Sequence, residues 1–448
     1  MSLDRFGLDT GVSFAGVPVA VCGFARSGRA AAALLVELGA KVRILDGKQD
    51  PAAIAEAERL GVELIAGREF ADDLDGVELC VASPGIRPTH AWWKGARAAR
   101  ILWWSEIELA WRAGIRPLAA ITGTNGKTTT TSMLVACLRA GGIEAHAAGN
   151  IGTPLSSLRP GDPIVAEVSS FQLAASHAFT VPVAAWLNIA PDHFDWHADL
   201  VEYAGAKASL FSRLGSEDTA VVHPSCLPWI TTAAAVRAFD LEVRDVEASV
   251  RDGWITIGSN RIAPVSSLRR SERPFLLDAL AAALCADALG MRADAIAAGL
   301  AAFEPDAHRL EPVATIRGIS FVNDSKATDP HATEAALGSF ATPIVLIAGG
   351  LNKGLALDGL TRTGAQLRAV VAIGDAAPEI AAVFEAAGVP VERIDDLEAA
   401  VSAALELAEP GDTVLLSPAC ASYDRFRSYE HRGDVFRAAV LDLERSSR

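Results

Sequence analysis

Three times along this chain a short apolar, β-branched run gives way to an alanine- and leucine-rich helical pattern. That rhythm restricts the fold to parallel sheets covered by helices, because parallel strands need a crossover connection that a helix supplies. The first block opens with VPVAVCGFARSGRAAAALLVELGA and runs through KVRILD to VELCVASPGI. The second starts with PLAAITGTNGKTTTTSMLVACLRAGG, places Met133, Leu134, Cys137 and Leu138 on one helix face, and continues through IVAEV and VAAWLNI. A less regular part follows, in which DGWITIGSNRIAPV reads as a hairpin and LLDALAAALCADALG as a buried helix. The third block, from about Pro305, contains ISFVND, PIVLIAGG, RAVVAIGD and DTVLLSP. At 448 residues the chain exceeds one ordinary core. The expected class is α/β in three domains: an N-terminal Rossmann-like domain over 1–104, a central P-loop ATPase-like domain with a mainly parallel sheet over 105–304, and a C-terminal Rossmann-like domain over 305–448.

Composition narrows the functional classes. Half the residues are apolar and 21% are charged, a profile that can bury cores rather than remain disordered. The formal net charge of -15 opposes a polyanionic backbone, so no nucleic-acid partner is expected and any bound phosphate needs a local site. Cys22, Cys80, Cys137, Cys226, Cys285 and Cys420 are scattered singly, as reduced buried thiols are. No apolar run is long enough to span a bilayer, and the opening MSLDRFGLDTGVSFAG lacks the basic and apolar regions of a signal peptide; a cytoplasmic protein with no membrane partner is expected.

The chemistry concentrates after the strands of the second block. Gly123-Thr124-Asn125-Gly126-Lys127-Thr128 lies between an apolar strand and a helix, where backbone amides can close around phosphate oxygens and the helix dipole favours negative charge. Lys127 would lie on the β- and γ-phosphates, and the Thr128 hydroxyl would hold magnesium. The strict eight-residue pattern wants glycine where Ile121 stands, and the bland alternative is a simple turn before a helix. Glu167, after IVAEV, is placed to complete a magnesium shell or to be an ordinary strand-end carboxylate. The stretch from Asn188 to His197 is rich in ligand-type side chains; His193 and His197 invite a zinc reading, but no third ligand has clear spacing.

With GTNGKT, the pieces GNIGTPL (149–155), EVSSFQL (167–173), LNIAPDHFDWH (187–197), NDSKATDPHATEAAL (323–337) and LSPACASYDRFRSYEHRG (416–433) resemble the Mur ligase family, whose members join an amino acid to a UDP-muramoyl precursor. The likeness is strongest to the branch that adds D-glutamate. It implies an ATP-dependent ligase of peptidoglycan precursor synthesis that acts as a monomer on UDP-N-acetylmuramoyl-L-alanine and D-glutamate through an acyl phosphate. It further implies that Lys127 and Thr128 hold ATP phosphates and one of two Mg2+ ions, with Glu167 beside them. His193 resembles the histidine at the second ion, and Lys207, in GAKASLF, the lysine that carbon dioxide carbamylates to serve that site. Arg309, Asp324 and Lys326 resemble the arginine at the phosphates, the aspartate at the ribose and a lysine near the site. Thr328, Lys353, Ser422 and Tyr429 resemble the positions that receive glutamate; a cation and two hydroxyls suit a dicarboxylate.

The first block resembles the family's UDP-binding domain. Phe24, Ala25, Ser27 and Gly28 form the turn that would accept the diphosphate, Asp46 would bond a nucleotide edge, and Ser83 and Gly85 make a second turn at the same edge. Asn150, Ser169 and Gln172 are further implied substrate contacts. A dehydrogenase reading of GFARSG fails on its incomplete glycine fingerprint. The family's HNxxN motif at adenine is replaced by Pro274-Phe275-Leu276-Leu277-Asp278; Asp278 can still accept from the exocyclic amine, so nucleotide binding with altered affinity or base selectivity is expected. Alternatives are an L-glutamate-adding ligase, a folylpolyglutamate-synthase-like ligase, and a non-catalytic nucleotide-binding regulator.

Overall fold

A computed structural model describes residues 13–446 apart from residue 244. Most of the opening stretch that bears on a signal peptide therefore lies outside the described residues. The chain forms two compact units. The first comprises the residues up to Ile189, Val201–Leu268 and Leu277–Phe303; the second comprises Ala190–Leu200, Arg269–Leu276 and the chain from Glu304 onward.

The first unit holds two parallel sheets. In one, β1 (Pro18–Cys22), β2 (Lys41–Asp46), β3 (Glu63–Ala66), β4 (Leu79–Ala82) and β5 (Leu102–Ser105) lie in the order β3-β2-β1-β4-β5, the doubly wound order in which the crevice opens at the carboxyl ends of the strands. β5 pairs through Ser105, one residue beyond the Trp104 expected to end the first domain. The other sheet contains β6 (Ala119–Thr122), β7 (His146–Gly149), β8 (Ile164–Glu167), β9 (Val183–Trp186), β10 (Thr219–Val222) and β11 (Ala235–Ala238), ordered β11-β10-β9-β6-β8-β7. Short apolar strands buried on both faces give β6, β8 and β9 their continuous hydrophobic sequences.

The helix Glu106–Arg112 joins the two sheets and is buried throughout. The Glu108 carboxylate is satisfied across the join. Glu108 pairs with Arg112 at 3.0 Å and accepts from the amides of His177, Ala178 and Phe179, while Ser105 Oγ meets Ser176 Oγ at 2.8 Å. One core including Phe14, Trp104, Ile107, Trp186 and Phe211 runs through both layers. The irregular region expected as a hairpin is a three-stranded antiparallel sheet of β12 (Ala248–Arg251), β13 (Trp254–Ile257) and β14 (Asn260–Pro264), so the hairpin gains one further strand. All six cysteines are free and buried.

The second unit is built on β15 (Glu311–Ile316), β16 (Ile319–Asn323), β17 (Ile344–Gly349), β18 (Leu367–Ile373), β19 (Val391–Arg393) and β20 (Thr413–Leu416), in the order β15-β16-β20-β17-β18-β19. Only the β15–β16 pair is antiparallel. Phe321, Val345, Val371, Leu416 and Phe436 centre its core. Among the described residues no helix is long and apolar enough to cross a membrane.

Candidate active site

β9, β6 and β8 are neighbours, so whatever follows their carboxyl ends is gathered at one edge of the second sheet. β6 delivers the loop Gly123–Gly126 and the helix Lys127–Ala140. Gly126 caps that helix with φ +85°, a left-handed backbone that glycine adopts freely, and a Cβ there would collide with Asp278 Oδ1. The helix thus presents the orphan amides of its first turn, the arrangement that binds phosphate.

Three buried or half-buried groups hold this loop. Asn188, two residues past β9, accepts at Oδ1 from the amides of Thr124 (3.0 Å) and Asn125 (2.9 Å) and donates from Nδ2 to the Asn125 carbonyl (3.0 Å). Lys207 is 1% exposed and donates to the Gly123 carbonyl at 2.8 Å and to Thr122 Oγ1 at 3.3 Å, with its Nζ 4.6 Å from the Tyr203 ring centre. Lys207 is therefore not a solvated surface lysine. Tyr203 in turn donates to Thr124 Oγ1 at 3.2 Å. Asp278 accepts from Thr130 Oγ1 at 3.2 Å, so its carboxylate is engaged with the helix that the loop begins.

Lys127 folds back over the loop, donating to the carbonyls of Gly123 (3.0 Å) and Thr124 (2.7 Å). At the end of β8, Glu167 accepts from Thr128 Oγ1 at 2.8 Å on one oxygen and from Asn150 Nδ2 at 2.7 Å on the other. A hydroxyl and a carboxylate side by side at a phosphate loop are hard oxygen donors that suit magnesium. Among the described residues no group of three or more His, Cys, Asp or Glu side chains could hold a metal alone.

The first sheet carries its own glycine turn. A Cβ on Gly28 would strike the Gly23 carbonyl, Ser83 Oγ donates to that same carbonyl at 2.9 Å, and Asp46 accepts from the amides of Phe24 (2.7 Å) and Lys48 (2.9 Å). Phe24, Ala25, Ser27, Gly28, Asp46 and Ser83 therefore belong to one braced turn at the head of the helix Arg26–Glu37. Ser169 and Gln172 form the capping box of the short helix Ser170–Ala174, Gln172 Oε1 accepting from the Ser169 amide at 2.9 Å; both already have structural partners.

In the second unit, His193 has φ +59° and lies against Asp192, whose Oδ1 accepts its amide at 2.8 Å; Lys353 Nζ is 3.8 Å from the same carboxylate. Asp324 accepts from Ser417 Oγ (2.8 Å) and the Leu310 amide (3.1 Å), and burial pushes its carboxyl up to about 7. Lys326 pairs with Asp306 at 2.9 Å. Arg432, fully buried, donates to Ser325 Oγ (3.0 Å), Ser325 O (2.9 Å) and Cys420 O (3.1 Å). Burial lowers its guanidinium to about 10. It ties the loop bearing Asp324, Lys326 and Thr328 to the segment bearing Ser422, while the Tyr429 carbonyl accepts from Ser325 Oγ at 2.9 Å.

The chain is similar to known proteins over nearly its whole length. A Mur ligase middle domain matches residues 121–236, and a Mur ligase, glutamate ligase domain matches residues 308–420. The UDP-N-acetylmuramoylalanine–D-glutamate ligase of Frankia casuarinae is 45% identical over 98% of this chain and 96% of its own length. The ligase of the same name from Caldanaerobacter subterraneus is 40% identical over 95% and 98%. The chain belongs to the Mur ligase family.

Solved structures agree on the fold. A pseudomurein peptide ligase type C from Methanothermus fervidus is similar with a TM-score of 0.60 at 18% identity, covering 96% of this chain and all of its own. The MurF ligase of Thermotoga maritima, solved in complex with ADP, gives 0.58 at 15% identity over 98% of each chain. Within the first unit the expected residues Gly123 to Thr128, Asn150, Glu167 and Lys207 come together, joined by Asp278. Within the second, Asp324, Thr328, Ser422 and Tyr429 are linked through Arg432 and Ser325, and His193 and Lys353 share Asp192. Tyr203 and Arg432 have no role of their own in the sequence, and Asn188 and Asp192 enter it only as members of the ligand-rich stretch from Asn188 to His197. A polar residue two positions past a strand next to the phosphate loop was the one available signal, for Asn188.

Proposed function

We propose that this chain is an ATP-dependent ligase that adds D-glutamate to UDP-N-acetylmuramoyl-L-alanine in the synthesis of peptidoglycan precursor. Support comes from full-length relatives that carry the name UDP-N-acetylmuramoylalanine–D-glutamate ligase. Their likeness spans the first sheet, which favours this reading over a folylpolyglutamate-type ligase. The observation that carries the chemistry is the convergence of Lys127, Thr128, Glu167, Asn188 and Lys207 on one strand–loop–helix turn.

A carboxylate resists attack by an amine, so it must be activated. The muramoyl-alanine carboxylate attacks the γ-phosphorus of ATP, forming an acyl phosphate and releasing ADP. The glutamate amine then attacks the acyl carbon, the C–O bond to phosphate breaks, and the amine proton is lost. Loop amides and Lys127 bind the β- and γ-phosphates, and Arg309 stabilises charge on the transferred oxygens. Thr128 and Glu167 would hold one magnesium ion and His193 a second, and such ions would neutralise phosphate charge. Lys207 would serve the second ion as a carbamate, formed when its neutral amine adds carbon dioxide and releases a proton. Thr328, Lys353, Ser422 and Tyr429 receive glutamate, and the turn Gly23–Gly28, with Asp46, Ser83, Gly85 and Asn150, receives the UDP-sugar.

On this reading residues 1–104, 105–304 and 305–448 serve the UDP precursor, ATP and glutamate respectively, in a monomeric cytoplasmic enzyme. The test is ADP release followed together with product mass, using ATP, magnesium, UDP-N-acetylmuramoyl-L-alanine and each glutamate enantiomer. ADP release that needs both the precursor and D-glutamate supports the proposal; release with L-glutamate alone, or without precursor, refutes it.

A further inference from the structure

The backbone on either side of Arg309 is held in an unusual conformation. His308 has φ +62° and Leu310 φ +45°, both in the left-handed region that non-glycine residues rarely occupy, so the surroundings must over-determine this turn. They do so from several sides. The His308 amide donates to Glu311 Oε2 at 2.8 Å, and the His308 carbonyl accepts from the Lys326 amide at 3.0 Å. The Leu310 amide donates to Asp324 Oδ1 at 3.1 Å, and the Leu310 carbonyl accepts from Arg270.

What these bonds fix is the main chain of Arg309. Its side chain meets an aromatic ring: the guanidinium carbon lies 5.4 Å from the centre of Phe275. The same ring receives the guanidinium of Arg270 at 5.1 Å. Phe275 is fully buried, and Arg270 is neutralised by Glu272 at 2.6 Å. Two guanidinium groups thus share one buried ring. An aromatic face attracts a cation most strongly when water is excluded. Phe275 also stands in the stretch where the family resemblance would place an asparagine, so this contact is a property of this chain's own sequence.

We propose that Phe275 is a positioning residue for Arg309. Its ring holds the guanidinium in one rotamer so that the cation meets the transferred phosphoryl group already oriented. The inference rests on the phosphoryl-transfer role assigned to Arg309 above. A flexible arginine would have to be ordered during the reaction; one held against a buried ring is preorganised, and the gain belongs to turnover more than to ground-state binding.

The test is a substitution series at Phe275 in the full-length enzyme, with kcat and KM measured for ATP and for the UDP precursor. Phe275→Leu should lower kcat about tenfold, equivalent to about 1.4 kcal/mol, with KM for the UDP precursor unchanged. Phe275→Tyr, which keeps the π-face, should recover most of the loss. If Phe275→Leu does not fold, trifluorophenylalanine at position 275 keeps the ring's shape while weakening its negative face; kcat should still fall, with the thermal midpoint unmoved. In an Arg309→Met background the same ring change should have no further effect. Wild-type kcat in the trifluorophenylalanine enzyme, or an undiminished effect in the Arg309→Met background, overturns the proposal. A wild-type enzyme that releases no ADP with precursor and D-glutamate would instead refute the ligase reading itself.

Discussion

The side chain of Asn188 grips the main chain of Asn125 from both sides, accepting its amide at 2.9 Å and donating to its carbonyl at 3.0 Å. A side-chain amide carries an acceptor oxygen and a donor nitrogen side by side, so it can do both, and a third bond, from the Thr124 amide, extends the grip along the loop. Asn188→Ala removes all three. Each net hydrogen bond is worth about 0.5–1.5 kcal/mol, so KM for ATP should rise about tenfold or more. Asn188→Asp keeps the acceptor but not the donor and should fall between wild type and alanine. Steady-state ADP release over an ATP series measures both.

Much of the fold is legible in the residues. The apolar runs at Pro18, Lys41, Leu79, Ala119, Ile164, Val183, Ile319, Ile344, Leu367 and Thr413 are strands because β-branched residues buried on both faces leave no other economical arrangement. Less apolar strands escaped notice: β3, β7 and β11 sit at sheet edges, where one side needs no core residue. The phosphate loop was visible because its residues are contiguous. Asn188 and Arg432 were not, because their roles arise from partners 63 and 107 positions away, which sheet order alone brings near. Ser169 and Gln172 show the converse: a pattern suggestive of substrate contact is also a helix cap.

Glu106 is fully buried, accepts from Ser156 at one oxygen, and has no partner at Oε2. Burial raises its carboxyl from 4.5 to about 6. Because the folded value lies above the unfolded one, its contribution to stability is complete below pH 4.5 and is lost as pH rises through 6. The difference amounts to about 2 kcal/mol. Glu106→Gln should flatten the dependence of denaturant midpoint on pH across that window and raise stability at pH 8 relative to wild type.

Glu167 joins Thr128 and Asn150 through separate oxygens. Glu167→Gln retains an acceptor for Thr128 but removes the negative charge. The magnesium concentration that gives half-maximal turnover should rise about tenfold, with little change in thermal midpoint. An unchanged magnesium requirement would remove Glu167 from the metal site.

Lys207 is enclosed by Thr122, Gly123 and Tyr203. Lys207→Ala should reduce turnover at least a hundredfold, with a far smaller effect on thermal stability. Enzyme depleted of carbon dioxide should regain activity on addition of bicarbonate; bicarbonate-independent activity would count against a carbamate at this position.

In the proposed reaction ATP bound at the Gly123–Thr128 loop gives its terminal phosphoryl group to the precursor's carboxylate. It is tested most directly by labelling that carboxylate with heavy oxygen and analysing the phosphate released during ligation. One labelled oxygen should pass into each phosphate, because the C–O bond formed on activation is the bond that breaks when the amine attacks. Phosphate that emerges unlabelled while the amide product forms would contradict the account.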